Sequence, residues 1–331
     1  MKPAGTLLLT RSDVADLLSL DDCITAVEQA FKLHAEGKVP PPGILGMHVP
    51  GGGFHIKAAS ANLNRSYFAA KLNGNFYENV SRFGMPRIQG VIILCDAENG
   101  FPLAVMDSIE ISIVRTGAAT AVAAKYLSRP DSDVVTICGC GNQGRVSIRA
   151  ISRLRPLKRC FAFDTDKAFA QRFADELSTE LQIQIEPVVD LSKALKQSDI
   201  CVTCTPSRAP YINSEDVPPG TFIAAVGSDS EEKQELNPAL LAVNKVVVDI
   251  TDQCATIGEL HHAIDARLMT KADVHAELGE VIAGRKPGRA SGDEVIIFDS
   301  TGTALQDVAA AAIVYERALA TERYQRINFG D

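Results

Sequence analysis

Residues 134–144 read VVTICGCGNQG, and Asp164 closes the apolar run that follows. A short β-prone stretch, Val134 to Cys138, enters Gly139-x-Gly141-x-x-Gly144. A helical pattern runs from Gln143 to about Leu154, and a second strand, Cys160 to Phe163, ends at Asp164. The order strand, glycine turn, helix, strand, acid suits a dinucleotide. Gly139 permits the tight turn, Gly141 lets backbone approach a pyrophosphate, and Gly144 lets the helix pack close to the strand. The helix N-terminus offers free N–H groups and partial positive charge to the phosphates. Glycines also build plain βα turns, and this chain has 24; the placement favours the dinucleotide. Asp164 is set to accept from the ribose hydroxyls, which predicts NAD over NADP because a carboxylate repels a 2′-phosphate. Asp166 adds to that repulsion and Lys167 opposes it.

A nicotinamide enzyme needs hydride geometry, an anchor for its substrate and one proton-transfer group. Such ligands gather beyond the carboxyl ends of parallel strands. Asp229 follows the strand-like TFIAAVG there; it either passes a proton to a substrate nitrogen or caps the next segment. Lys71 closes the run SYFAAK, where it either meets a substrate carboxylate or imine or is a solvated edge-strand lysine. Arg115, between Val114 and Thr116 at a helix start, either bridges a substrate carboxylate and cofactor phosphates or makes a surface ion pair. With no Gly-x-Ser-x-Gly elbow and no P-loop, the set points to a redox step on a small acid.

The elements that must position these residues follow from hydrophobic periodicity. Residues 11–37 suggest amphipathic helices, stopped by VPPPG at 39–43. Residues 44–106 alternate as strands, and IQGVIILCDAENGFPLAVMD reads as two strands joined by a turn at 97–100, an antiparallel sheet region. Residues 112–126 form a small-residue helix. Strands are expected at 134–138, 159–163, 183–188, 200–204, 221–226 and 245–250, alternating with helices as in a doubly wound parallel sheet. An alanine-rich helix at 303–320 follows EVIIFDS and is expected to return to the first domain. The fold class is therefore α/β, a Rossmann sheet plus a discontinuous α+β domain. The expected boundaries are 1–115 with 306–331 for the latter and 116–305 for the former.

The whole chain sets wider bounds. Its 331 residues suffice for two domains with cores, and 46% hydrophobic with 22% charged residues is a globular composition. A net charge of −8 and no basic run argue against nucleic acid. No segment is apolar and long enough to span a bilayer, and the N-terminus does not resemble a secretory signal, so a cytoplasmic location is expected. The 8 cysteines read as small buried hydrophobes. Cys201-x-x-Cys204 has redox or zinc spacing but lies in a strand-like run, with side chains on opposite faces. His261, His262 and His275 lack metal-binding spacing, so no metal is expected.

Taken together, these residues resemble the ornithine cyclodeaminase/μ-crystallin family across nearly the whole chain. The marks are the Lys71 strand, IVRTGAATAVAAKYLSRP at 113–130, GCGNQG at 139–144, CTPSRAP at 204–210, AVGSDSEEKQEL at 225–236, AELGEVIAGRKPGR at 276–289 and IFDSTGTALQD at 297–307. The resemblance implies a homodimer paired through the first domain's sheet. It places Lys71 at the substrate, Asp229 as the catalytic acid/base, and Arg115 at substrate carboxylate and cofactor. It places Thr116, Asn142, Gln143, Asp164, Thr165, Thr205, Ser228, Lys233 and Ser300 at cofactor positions, beside Gly139, Gly141 and Gly144. Many relatives have an arginine where this chain reads GGFHIKAAS, so Lys57 takes that place. Arg87 stands in MPRIQG where relatives often carry threonine, either as a surface residue or as a cation for a second substrate carboxylate. The leading expectation is NAD(H)-dependent reduction of an α-imino acid, with iminosuccinate preferred and the imine of pyruvate or a cyclic ketimine as rivals. A cyclodeaminase-type lyase with bound NAD and a non-enzymatic ligand-binding protein are the alternatives.

Overall fold

The computed structural model describes residues 5–329. In chain order its strands are β1 (Thr6–Leu9), β2 (Gly43–Val49), β3 (Gly52–Asn62), β4 (Ser66–Phe76), β5 (Ile88–Asp96), β6 (Pro102–Asp107), β7 (Val134–Cys138), β8 (Arg159–Phe163) and β9 (Gln184–Val188). They continue with β10 (Ile200–Thr203), β11 (Arg208–Ile212), β12 (Phe222–Ala225), β13 (Gln234–Leu236), β14 (Lys245–Val248), β15 (Ala276–Glu277), β16 (Ile296–Asp299) and β17 (Gln325–Ile327). The chain divides into two compact units, residues 1–115 with 303–331, and residues 116–302.

The first unit is built on a seven-stranded sheet in the order β17-β1-β6-β5-β4-β3-β2. All its neighbours are antiparallel except the parallel pair β1–β6. Helices Arg11–Leu17 and Leu20–Ala35 occupy the stretch 11–37 where helices are expected. The break falls where Ser19 turns out of the first helix and its Oγ accepts from Asp22 N at 3.3 Å, an N-cap that starts the second. The long helix Ala304–Thr321 lies against Leu20–Ala35, β3 and β4. Half of its buried positions are alanines, which lets it approach the sheet closely, and Gln306 and Asp307 are carried into the interior with them.

Register decides which side chains meet that helix. Lys57 pairs with Lys71 across β3–β4, and Lys71 with Ile92 across β4–β5. Side chains on directly paired positions share a face, so both lysines lie on the helix-covered side with Ala59, Ala69 and Leu94, all buried. The other face carries the row Leu45–Ile56–Leu72–Val91. Leu45, Met47, Phe54, Phe68, Leu72, Val91 and Ile93 are all exposed there.

The second unit is an eight-stranded sheet, order β15-β14-β16-β12-β10-β7-β8-β9, and every pairing in it is parallel. The strand order reverses direction on either side of β7, as in a doubly wound fold. Its strands are near-continuous runs of buried Val, Ile, Ala and Phe, as a sheet covered on both faces requires. A small parallel pair, β11–β13, stands apart from it. Among the described residues no helix is long and apolar enough to cross a membrane, and no group of three or more His, Cys, Asp and Glu could hold a metal ion. All the cysteines are free and most are buried; Cys201 is on β10, and Cys204 lies just past that strand's end.

Candidate active site

In the first unit, Lys71 sits inside β4, which runs on to Phe76, and not on an edge strand. It is 4% exposed. Its Nζ lies 2.8 Å from both Asp307 oxygens and donates to Ser112 Oγ at 3.3 Å. Arg115 stands in the second turn of helix Ile109–Leu127, which begins about a turn before the expected start at 112. Its Nε is 3.3 Å from Asp307 Oδ1, and its Nη1 donates to Gln306 Oε1 at 2.6 Å. Lys57, Lys71, Arg115 and Asp307 are all buried. One carboxylate thus faces three cations.

Burying like charges this closely is costly unless anions offset them. Lys71 shows the strain electrostatically: burial, with Arg115 and Lys57 beside it, pushes its ammonium down to about 7 against the upward pull of Asp307. Burial raises the Asp307 carboxyl, but the Lys71, Arg115 and Lys57 cations outweigh it and hold Asp307 below the usual carboxylate range. The cluster has room in its charge balance for one or two more carboxylates.

Arg87 is not part of that cluster. It precedes β5 opposite Phe76, five residues along β4 from Lys71, roughly 17 Å at strand rise. Its guanidinium stacks over the Tyr77 ring at 4.0 Å, and its Nε donates to Asn75 Oδ1 at 3.2 Å. The expectation that Arg87 joins the other cations is not what the structure shows, because strand register carries it toward the end of the hairpin.

In the second unit the glycine turn closes β7. Gly139 has φ +102°, and a Cβ there would lie 2.9 Å from Cys204 O. A Cβ on Gly144 would lie 2.1 Å from Gly139 O, so only glycine lets the helix approach. Gly141 differs: a Cβ there meets nothing within 4 Å. Internal packing does not require glycine at 141, and the open space above it suits a phosphate. The helix Asn142–Leu154 has no side-chain cap and no acid in its first turn, leaving its N-terminal N–H groups for a ligand. Gln143 Oε1 is buried without a partner. Asp164 accepts from Cys140 N at 2.9 Å and from Asp166 N at 3.0 Å, so it shapes the turn as well as ending β8. Asp166 caps the following helix, and Thr165 and Lys167 are exposed. These residues fit the diphosphate and ribose of a dinucleotide.

The remaining positions lie on loops at the carboxyl ends of β10, β12 and β16, with Thr116 in the long helix. Thr205 gives both its N and Oγ1 to Glu235 Oε1 at 2.7 Å. Ser228 Oγ donates to Lys233 O at 2.6 Å, and Ser300 Oγ to Asp249 Oδ2 at 3.3 Å. Asp229 is half exposed and pairs with Lys233 Nζ at 2.5 Å. No helix follows it, which removes the capping alternative. Reading the sequence missed Asp307, Gln306 and Glu235. A signal existed for the first: an acid inside an otherwise alanine-rich helical stripe has to be buried with a partner.

A doubly wound parallel sheet with an open glycine turn at its switch point defines a dinucleotide-binding fold. The ornithine cyclodeaminase/mu-crystallin family model matches residues 4–322, and the chain belongs to that family. An alanine dehydrogenase of Archaeoglobus fulgidus is 39% identical over 325 residues, 98% of each chain. A solved archaeal alanine dehydrogenase dimer with bound NAD superposes with a TM-score of 0.92 at 39% identity, covering 98% of this chain and 99% of that one. The iminosuccinate reductase of Paracoccus denitrificans in complex with NAD+ gives a TM-score of 0.90 at 30% identity, covering 98% and 100%.

Proposed function

We propose that the protein is an NAD(H)-dependent reductase of an α-imino acid, giving an L-amino acid. The observation that carries this reading is the buried group of Lys57, Lys71 and Arg115 around the single carboxylate of Asp307. An α-carboxylate offsets part of the cation surplus, and charge-assisted bonds from the three cations would fix the adjoining C=N carbon. NADH supplies the hydride for that carbon. Asp307 keeps the Lys71 ammonium and the Arg115 guanidinium aimed at the substrate. Asp229 keeps the imine nitrogen protonated, so that the hydride meets an iminium carbon; the C=N electron pair then goes to nitrogen, leaving a neutral amine that takes up a proton. Asn142, Gln143 and the open backbone at Gly141 take the pyrophosphate. Asp164 takes the ribose, which supports NAD over NADP.

The cation surplus favours a substrate with a second carboxylate, iminosuccinate, giving aspartate. The place of Arg87 favours the second reading, the imine of pyruvate giving alanine, because that side chain is already stacked on Tyr77. Turnover with oxaloacetate and ammonia against pyruvate and ammonia decides between them. A kcat/KM ratio above about tenfold, a difference of about 1.4 kcal/mol, in favour of oxaloacetate supports the second carboxylate; equal values or a pyruvate preference sink it.

The pH dependence has a definite sign. Below about pH 7 the Lys71 ammonium of the free protein is intact. Above it the free protein loses that proton, while a bound carboxylate favours keeping it. Affinity for oxaloacetate or pyruvate is therefore expected to be flat below pH 7 and to fall toward tenfold per unit above it. Isothermal titration across pH 6–9 (roughly one to two units either side, where a Lys so lowered changes charge) measures this. A flat profile would mean that Lys71 does not meet the carboxylate.

The protein is also proposed to be a homodimer through the exposed face of the first unit's sheet. An apolar row of this length on a soluble sheet marks a protein contact. Val91→Glu, at one end of that row, is expected to halve the mass seen by light scattering. An unchanged mass would place the contact elsewhere.

A further inference from the structure

The carboxylate of Glu235 is fully buried, and the reaction proposed above does not use it. Its Oε1 accepts from Thr205 N, Thr205 Oγ1 and Tyr211 OH, at 2.7, 2.7 and 2.8 Å. Its Oε2 accepts from Gly227 N at 3.0 Å. Every partner is a donor, and only an acceptor with two oxygens can serve them all. Thr205 lies on the loop after β10 and Gly227 on the loop after β12, so one side chain joins two loops that share no strand end. A Cβ on Gly227 would come within 2.3 Å of Glu235 Oε2, so the glycine is what admits the carboxylate. Glu235 is itself held from behind: Glu259, also buried, accepts from Glu235 N at 2.8 Å and Leu236 N at 3.1 Å.

We propose that Glu235 is a positioning residue that locks the loops bearing Thr205 and Ser228–Asp229 into one rigid rim at the carboxyl end of the parallel sheet. The rim presents the hydroxyl that meets the cofactor and the acid that serves the substrate in a fixed relation. This rests on the function proposed above. The loop after β10 is tied in turn to the glycine turn, since Cys204 N donates to Cys138 O at 2.9 Å. One carboxylate therefore fixes the proton-transfer loop against the dinucleotide turn. Its bonds are to neutral donors, which are directional, so it sets geometry where an ion pair would set only distance.

Glu235→Gln separates this role from that of a core acid. The amide keeps one acceptor for Thr205 but turns an NH2 toward a backbone N–H, so one loop must let go. The Glu235→Gln protein is expected to lose hydrogen-exchange protection at Gly227 or Thr205 by tenfold or more. Its NADH dissociation constant, read by nucleotide fluorescence, is expected to rise about tenfold, and its kcat to fall by a larger factor than KM for the imino acid rises. Glu235→Asp, which keeps both oxygens but is shorter, is expected to recover part of the exchange protection. Unchanged exchange at both amides, or unchanged NADH affinity with only a lower melting temperature, would overturn the rim. If the unaltered protein binds neither NADH nor NADPH, the functional reading fails by itself, and the exchange measurement alone then decides whether Glu235 locks the two loops.

Discussion

Replacing Lys71 by methionine is expected to lower kcat/KM for the imino acid by about 10²–10³-fold while leaving NADH affinity within a few-fold. Lys71 is central because it is the most deeply buried of the three cations and lies 2.8 Å from both Asp307 oxygens. Truncating one member of a buried charged pair costs about 2–5 kcal/mol, much of it from the partner left unpaired. Here that partner is Asp307, which keeps Arg115 at 3.3 Å and so does not become wholly isolated. The substrate loses an ammonium and gains a neighbouring carboxylate with less positive charge around it, and both changes repel its own carboxylate. Methionine nearly matches lysine in volume, so the helix over the sheet should keep its packing. Steady-state kinetics with a parallel NADH titration checks the effect. A fall of less than threefold would remove Lys71 from the substrate, and an equal loss of NADH affinity would mean that the substitution disturbs the fold.

The second large effect is expected at Asp229. General acid–base groups contribute about 10²–10⁴-fold, and Asp229→Asn should cost kcat that amount with NADH binding retained. The structure offers a competing role for this carboxylate, its ion pair with Lys233 across one turn of loop. A half-exposed pair of this kind contributes little to stability. The two roles therefore separate cleanly: loss of the ion pair alone leaves kcat within a few-fold, whereas loss of the proton-transfer group removes turnover and leaves a folded, NADH-binding protein. Lys233→Met supplies the comparison from the other side. It breaks the same pair and keeps the acid, so kcat should fall far less than in Asp229→Asn.

How much of this was legible in the sequence differs between the two units. The second unit was readable because its chemistry is local. The turn from Cys138 to Gly144 needs glycines for reasons internal to a few residues, and near-continuous apolar runs announce strands buried on both faces. The first unit is assembled from distant parts. Lys71 meets Asp307 across 236 positions, and no periodicity predicts that pairing. Lys57 was closer to view: Lys57 and Lys71 stand at equal distances from the turn at 63–65, so a hairpin there must pair them. The resemblance alone brought Lys57 to attention. Arg87 is a different case. Its type left it open between a surface residue and a substrate cation, and five residues of strand register, which composition does not reveal, set it on Tyr77. Glu235 escaped because a buried carboxylate held by neutral donors carries no charged partner that a sequence pattern could flag.

The most direct test of the central claim is the fate of NADH when the purified protein is given an α-keto acid and ammonia, with ornithine supplied in a separate reaction. The account predicts stoichiometric oxidation of NADH with formation of the matching L-amino acid, dependent on ammonia and abolished in Lys71→Met. Conversion of ornithine to proline and ammonia with no net consumption of NADH would contradict it, and would make the buried cations the grip of a lyase rather than of a reductase.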